Sequence, residues 1–470
     1  MTRAAGTWTW PRGQLDLLLR AALAPDPERA LAAARSWLDR NDIDAASFRE
    51  HRLLAGLAQR FGAEIAAHPA YPRLAGLARH LWARSQIAQR EAAAALRALS
   101  EAMPVMAIKG ASRVAVDPQS SRGRISHDID ILVRRPDMAR ALDMLLGMGW
   151  RHMEGESRQR LEAAASSMRA INLGHGALGN IDLHQEAYHP LNAAPADDDA
   201  LWRRAQAATF LGATLSVPSP SDRAALAIGH GALDAHAHSD WLVDCAVAQS
   251  QPDFDWRVFA ETIALRRLEA SAAIALGYLD GAIGIAAPDG LLSALDKAVA
   301  RRPLQRLAIS LQAAPRDNLS KAGNLMRGVA KLWRKRQRAQ NHPEAPPPPP
   351  SIRARRRRAV GDGQSDPMLS AALKTGGACL TVRLRVAYPP VARRAVFEVN
   401  AADRHVARLV MRNWSPHARV VEGRFSIPIP ASLRGKGLVI EARPSKLVRE
   451  SANPAFKDAN GALPFTLKVS

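Results

Sequence analysis

Three carboxylates stand out among the 470 residues. Asp128 and Asp130 flank Ile129 in the run Asp128-Ile129-Asp130-Ile131-Leu132-Val133. Side chains alternate between faces in an extended chain, so both carboxylates point one way and Ile129, Ile131 and Val133 the other. Two acids on one face repel each other unless a cation lies between them. Asp182, in Ile181-Asp182-Leu183-His184, is a third acid set between aliphatic neighbours on a later strand. Carboxylates together with nucleotide phosphates are how proteins hold Mg²⁺. Three of them converging from neighbouring strands would make a two-metal site, which clamps the attacking and leaving oxygens of an in-line phosphoryl displacement. The bland alternative is a solvated strand edge.

Other residues invite chemistry less directly. Lys109-Gly110 closes the apolar run Val105–Ile108, the pattern of a buried strand meeting a turn. Lys109 and Arg124 would suit phosphate charge, or Lys109 would neutralise the acids instead. On a helix, His230, Asp234 and His238 would share a face at one-turn spacing, and zinc accepts such ligands. His236, Asp240 and Asp244 lie in the same stretch, where packing or helix-surface roles compete with metal binding. His175 and His189 have no evident partner. Two cysteines, Cys245 and Cys379, exclude a disulfide scaffold and a multi-cysteine zinc site. They read as buried thiols in a reducing compartment.

The elements that must position these residues follow from periodicity. Residues 1–100 form a helical region, with apolar stripes at Leu15–Leu23, Glu28–Leu38, Ala45–Phe61 and Leu74–Ala102. Residues 101–195 alternate strand and helix, ending in strand candidates at Met168–Leu173 and Asn180–His184, and make a small α/β or α+β domain. Within it, Pro136–Met148 reads as a helix opened by proline and followed by Gly149. Residues 196–336 are again mostly helical. Residues 337–365 hold five consecutive prolines, Pro346–Pro350, and the run Arg355–Arg358, and read as an extended spacer. Residues 366–470 change to a period of two, and six short strands suggest a β-sandwich.

Charge is distributed unevenly. The formal net charge is +21, with +9 on Lys331–Arg358, −1 from Asp362 and +10 on Asp366–Ser470, so the first 330 residues carry only +3. A basic surface attracts nucleic acid, anionic lipid or acidic polysaccharide. Aromatics that would stack bases are sparse there. The start, Met1–Trp10, carries no apolar secretory segment, and no run reaches the roughly 20 apolar residues of a membrane span. The expectation is a cytoplasmic protein.

One combination is similar to a known family. Lys109-Gly110, a spacer, Arg124-x-x-x-Asp128-x-Asp130-x-Leu132-Val133, a helix ending at Gly149-Trp150, and then Asp182-Leu183-His184 resemble the uncharacterised bacterial nucleotidyltransferase family of the DNA polymerase-β superfamily. The segment His230…His238-x-x-Trp241-x-x-Asp244 looks like that family too, and the likeness spans roughly residues 80–280. The resemblance implies a polymerase-β-like α/β core between helical regions. It implies that Asp128, Asp130 and Asp182 hold Mg²⁺ or Mn²⁺ and that Asp182 helps deprotonate the attacking hydroxyl. Lys109, Gly110, Ser112 and Arg124 would lie against the phosphates of an NTP. The reaction would pass a nucleoside monophosphate to an acceptor, whether saccharide, protein or RNA. One departure is Ala111, where superfamily members place serine directly after the motif glycine; Ser112 follows one step later. A fold that has lost catalysis and serves as a nucleotide-binding scaffold is the alternative. The C-terminal stretch with Phe425–Pro430, Asn453-Pro454 and Asp458 is similar to β-domains attached to bacterial surface-polysaccharide glycosyltransferases. That tilts the acceptor towards a saccharide, and an acidic polymer would suit the basic C-terminal region.

Overall fold

The computed structural model describes residues 7–341 apart from 127, 154–157, 159–160, 163–164, 167, 190–193, 195, 232–233 and 238, together with strand segments between 351 and 469. The chain divides into two units, Met1–Ala141 with Arg169–Pro343, and Leu142–Met168 with Glu344–Ser470.

The first unit opens with four helices: α1 (Gly13–Leu23), α2 (Pro27–Arg40), α3 (Phe48–Phe61) and α4 (Tyr71–Ala102). Their starts are written in the sequence. Asp26 accepts from the backbone N–H groups of Glu28 and Arg29 at the head of α2, with Pro27 in its first turn. Ser47 and Glu50 close a reciprocal capping box on α3. Strand β1 (Val105–Ala107) leads into α5 (Lys109–Val116), and β2 (Ile129–Val133) into α6 (Met138–Gly147). Then come β3 (Ala170–His175), β4 (Gly179–His184), β5 (Gln206–Phe210) and β6 (Ala213–Val217). Helices α7 (Pro220–Gly231), α8 (Asp240–Gln249), α9 (Trp256–Leu265), α10 (Glu269–Tyr278), α11 (Leu291–Ala300), α12 (Pro303–Ala313) and α13 (Lys321–Asn341) complete it.

These six strands belong to a seven-stranded mixed sheet, in which they follow the order β3-β4-β2-β1-β6-β5. β1 runs antiparallel to β2, with Met106 opposite Leu132. β2 runs parallel to β4, with Asp130 opposite Asp182. Residues 196–336 are mostly helical, and the hairpin β5–β6 is an addition that periodicity does not announce. Its two-residue turn places Leu211 and Gly212 at φ 54° and 76°. Two positive φ values match the twist of a tight hairpin, yet leucine is an uncommon residue there, so the turn leaves little trace in the sequence. One apolar core joins both helical regions to the sheet: Trp37 and Leu54, Met106 and Leu132, and Ile228, Phe259 and Tyr278 all belong to the same buried cluster.

In the second unit, Ala371–Gly376, Cys379–Ala387, Val420–Pro428 and Arg356–Ala359 form a four-stranded sheet. Thr466–Val469, Leu438–Arg443, Arg394–Ala401, Arg404–Arg412 and Ser351–Arg353 form a five-stranded one. The expected spacer therefore contributes two short strands. Ser351–Arg353 and Arg356–Ala359 each end a sheet, and charged side chains are what sheet edges tolerate. Asn453, Pro454 and Asp458 lie outside the described residues.

Candidate active site

The site is assembled where β1, β2 and β4 meet the start of α5. Ile108 N–H donates to the Asp130 carbonyl at 3.1 Å, which holds the end of β1 against β2. Lys109 follows with φ 52°, a left-handed backbone that costs a non-glycine residue roughly 1–2 kcal/mol. The turn brings its ammonium onto Asp130 in an ion pair. Asp130 is buried, and its register opposite Asp182 on a parallel strand puts both side chains on one face.

His184 lies two residues beyond Asp182 on the same face and is fully buried. Its Nε2 is 3.0 Å from Asp130 Oδ1 and 2.9 Å from Asp182 Oδ2. Arg169 Nη1 lies 2.9 Å from its Nδ1. A guanidinium only donates, so Nδ1 accepts and the ring proton sits on Nε2, shared between the two carboxylates. Asp130, Asp182 and His184 thus bring ligand atoms within 4.8 Å of one another, a grouping able to hold a divalent cation. With Nε2 protonated, His184 acts as a brace, and the oxygens are the donors that suit a hard cation. Burial raises the Asp130 carboxyl, but Lys109 and His184 outweigh it and hold it well below the usual carboxylate range. Asp182 is likewise held below, burial being overcome chiefly by the His184 hydrogen bond. Both are therefore charged at neutral pH. Asp128, just before β2, is pushed up by burial and by the charge of Asp130, against the pull of Lys109 and Arg52.

The expected residues gather around one cavity of about 260 Å³. Asp128, Asp130, Lys109, Gly110, Ser112 and Arg124 all line it. Asp182 reaches its acids through His184 rather than lining the cavity itself. Ser112 gives its hydroxyl proton to the Lys109 carbonyl at 2.7 Å.

Arg124 is committed elsewhere. Its Nε and Nη2 grip Asp244 at 2.9 and 2.8 Å, Nη1 donates to the Ile125 carbonyl at 2.9 Å, and Nη1 stands 3.2 Å from Asp240. Arg113 also pairs with Asp244 at 3.1 Å, and Arg52 of α3 with Asp240 at 2.5 Å. Gly110 owes its lack of a side chain to this network, since a Cβ there would meet Arg124 Nη2 at 2.9 Å. Ser126 completes the bracing of the acid-bearing loop: its hydroxyl donates to the Asp128 carbonyl at 2.6 Å, and its own carbonyl accepts from Ser85 of α4 at 2.8 Å.

Arg223 of α7 differs from the other cations. It is 9% exposed and lines the same cavity. Its Nε is buried without a hydrogen-bond partner, and among the described residues its guanidinium forms no ion pair. Burial lowers it from its ordinary value despite the attraction of Asp253 and Asp244.

The histidine-rich stretch does not form one helical face. α7 ends at Gly231, where any side chain would run into the Trp241 ring, and His238 lies outside the described residues. His236 is buried instead on the Thr9 carbonyl at 2.8 Å and stacks on Trp241 with ring centroids 5.6 Å apart. Cys245 is buried, its thiol pushed up to about 12.

Sequence reasoning quoted His184 without giving it a role, and it missed Arg52, Arg113, Arg169 and Arg223. Arg113 had one signal, its spacing of one helical turn from Lys109. The others come from distant parts of the chain.

A family model described as uncharacterised nucleotidyltransferase matches residues 46–281. No curated protein and no solved structure matches the chain.

Proposed function

The chain belongs to the uncharacterised nucleotidyltransferase family, and from that premise we propose that it is a Mg²⁺- or Mn²⁺-dependent enzyme moving a nucleoside monophosphate from an NTP to an acceptor. The observation that carries the reading is the register pairing of Asp130 with Asp182 beneath a cavity that Asp128 also lines. We read the core as polymerase-β-like, the two C-terminal sheets as a stacked sandwich and the setting as cytoplasmic. No described helix is long and apolar enough to cross a membrane. A saccharide is our preferred acceptor, and an acidic polymer our preferred ligand for the basic C-terminal region.

Asp128, Asp130 and Asp182 would hold the cation through oxygen. Two of them are ionised at neutral pH, and Lys109 stands at Asp130 as a positive charge that a cation would displace or join. A bound Mg²⁺ would draw charge from the reacting phosphate. In the reaction, the acceptor oxygen bonds to the α-phosphorus and the bond to the bridging oxygen breaks. Pyrophosphate departs with that electron pair, and the acceptor's proton passes to Asp182. Lys109, the backbone at Gly110 and Ser112 would face the phosphates. Arg124, held by Asp244, would act by positioning Gly110 and the loop before Asp128. Arg223, a buried cation without an ion-pair partner among the described residues, would take the anionic tail of the nucleotide.

A thermal-shift titration tests this without knowledge of the acceptor. ATP, GTP, CTP and UTP are each added with and without Mg²⁺ to the wild type and to Asp130→Asn. A ligand of the native state must raise Tm. A metal-dependent rise with one NTP, absent in the variant, is expected. The Lys109–Asp130 ion pair favours one other reading, an acid cluster neutralised from within and a fold retained as a scaffold. No rise with any NTP would select it.

A further inference from the structure

Helix α13 (Lys321–Asn341) presents two unlike faces. One is tied to α12: Arg327 donates to the carbonyls of Ala314 and Gln312 at 2.8 and 2.9 Å, and Arg334 to Gln312 Oε1 at 3.2 Å. Ala330, on that side, is buried. The other face carries Leu325, Met326, Val329, Leu332 and Trp333. Their spacing is that of a single helical stripe. All five are exposed, Leu325 at 72%, Leu332 at 63% and Val329 at 59%. Leu304 and Leu307 of α12 are exposed as well. Scattered apolar side chains on a surface need no explanation, but a contiguous stripe marks an interaction site.

Charge decides what the partner is. No acidic residue occurs between Lys321 and Pro343. Lys321, Lys331 and Arg336 are exposed on the helix, and Arg353 and Arg355–Arg358 follow shortly in sequence. A second copy of this chain would set like charges against each other across the stripe. Nucleic acid would match the charge but offers no surface for leucine and valine. An anionic bilayer matches both: the headgroups attract lysine and arginine, and the acyl boundary takes the apolar stripe. Long basic side chains bury their stems along such a surface and keep their charges at the headgroups.

We propose that α13 is an interfacial helix that docks the protein on an anionic phospholipid surface, lying in the bilayer plane without crossing it. The inference is independent of the nucleotidyl-transfer reading.

Vesicle co-sedimentation of the full chain tests it, with phosphatidylcholine vesicles compared against phosphatidylcholine–phosphatidylglycerol mixtures. The wild type should bind the anionic vesicles at least about tenfold more tightly, and salt should weaken binding. Leu325→Glu/Leu332→Glu, both at exposed positions, should lose about tenfold or more while its thermal melt stays that of the wild type. A variant with Arg355–Arg358 replaced by serine should retain part of the binding, because the stripe persists. Equal or absent binding of the wild type to the two vesicle types overturns the proposal. So does undiminished binding by the double variant, which would leave charge alone as the cause. A wild-type dimer in solution, made monomeric by the double variant without vesicle binding, would assign the face to self-association instead.

Discussion

His184 Nε2 stands 3.0 Å from Asp130 and 2.9 Å from Asp182, one donor between two carboxylates on adjacent parallel strands. Remove the imidazole and both acids keep their burial but lose their shared proton. His184→Ala should therefore destabilise the fold by about 3 kcal/mol, the scale of breaking a buried charge network. The variant should also regain part of that loss on adding MgCl₂, because a cation binding the native state takes over the neutralising role. Urea denaturation with and without Mg²⁺ measures both. An unchanged midpoint would show that His184 braces nothing.

Arg124 and Asp244 form the second buried network, and geometry sets its weight. Burial raises the Asp244 carboxyl, but Arg124 and Arg113 hold it below the usual range. Asp244→Ala would leave Arg124 buried with its 3.2 Å approach to Asp240 as its remaining ion pair and the Ile125 carbonyl as a neutral acceptor. We expect a loss of about 3–5 kcal/mol. Glu261→Ala, which breaks the exposed Arg257–Glu261 pair, should cost no more than about 0.5 kcal/mol. Gly110→Ala should cost about 1–3 kcal/mol through the clash with Arg124 Nη2. Chemical denaturation of the three variants gives the ranking, and equal losses for Asp244→Ala and Glu261→Ala would contradict it.

What the sequence revealed was local. The alternation around Asp130, the Lys-Gly turn and the Asp-Leu-His triplet each sit within a few residues, so period and motif expose them. The capping box at Ser47 and Glu50 and the proline at the head of α2 are legible for the same reason. The hairpin β5–β6 was hidden because its turn uses Leu211 where glycine or asparagine would announce it. Arg52, Arg169 and Arg223 were hidden because they reach the site from α3, from the residue before β3 and from α7. Only the pairing of distant elements makes them neighbours, and a single sequence carries no period for that. The motif glycine shows the same limit: its position was legible, but its reason, Arg124 pressed against it, is tertiary.

Arg223 is a buried cation without an ion-pair partner among the described residues, so its presence should cost the empty protein stability. Arg223→Met should raise the Tm of the ligand-free chain by a few degrees, since an apolar side chain of similar reach removes the desolvation penalty. The same change should weaken tripolyphosphate binding about tenfold or more, the weight of one charge-assisted contact of about 1.5–3 kcal/mol. Calorimetric titration with inorganic tripolyphosphate reads the affinity and a thermal melt reads the stability. A lowered Tm with unchanged affinity would make Arg223 a structural residue.

His236 ties stability to pH far from the acids. It is buried between the Thr9 carbonyl and Trp241, with Arg327 adding a repelling charge. A carbonyl only accepts, so Nε2 carries the proton of the neutral ring. Burial, the main cause, lowers the group from 6.5 to about 4. Above pH 6.5 both folded and unfolded chains hold it neutral, and it has no influence. Below that, the unfolded chain takes up a proton that the folded chain refuses. Stability then falls with pH until about 4, by a total on the order of 3 kcal/mol. His236→Gln keeps a donor for Thr9 but cannot titrate. Its urea midpoint should therefore fall less than that of the wild type between about pH 7 and about pH 5. Parallel pH profiles for the two proteins would show that His236 does not set the slope.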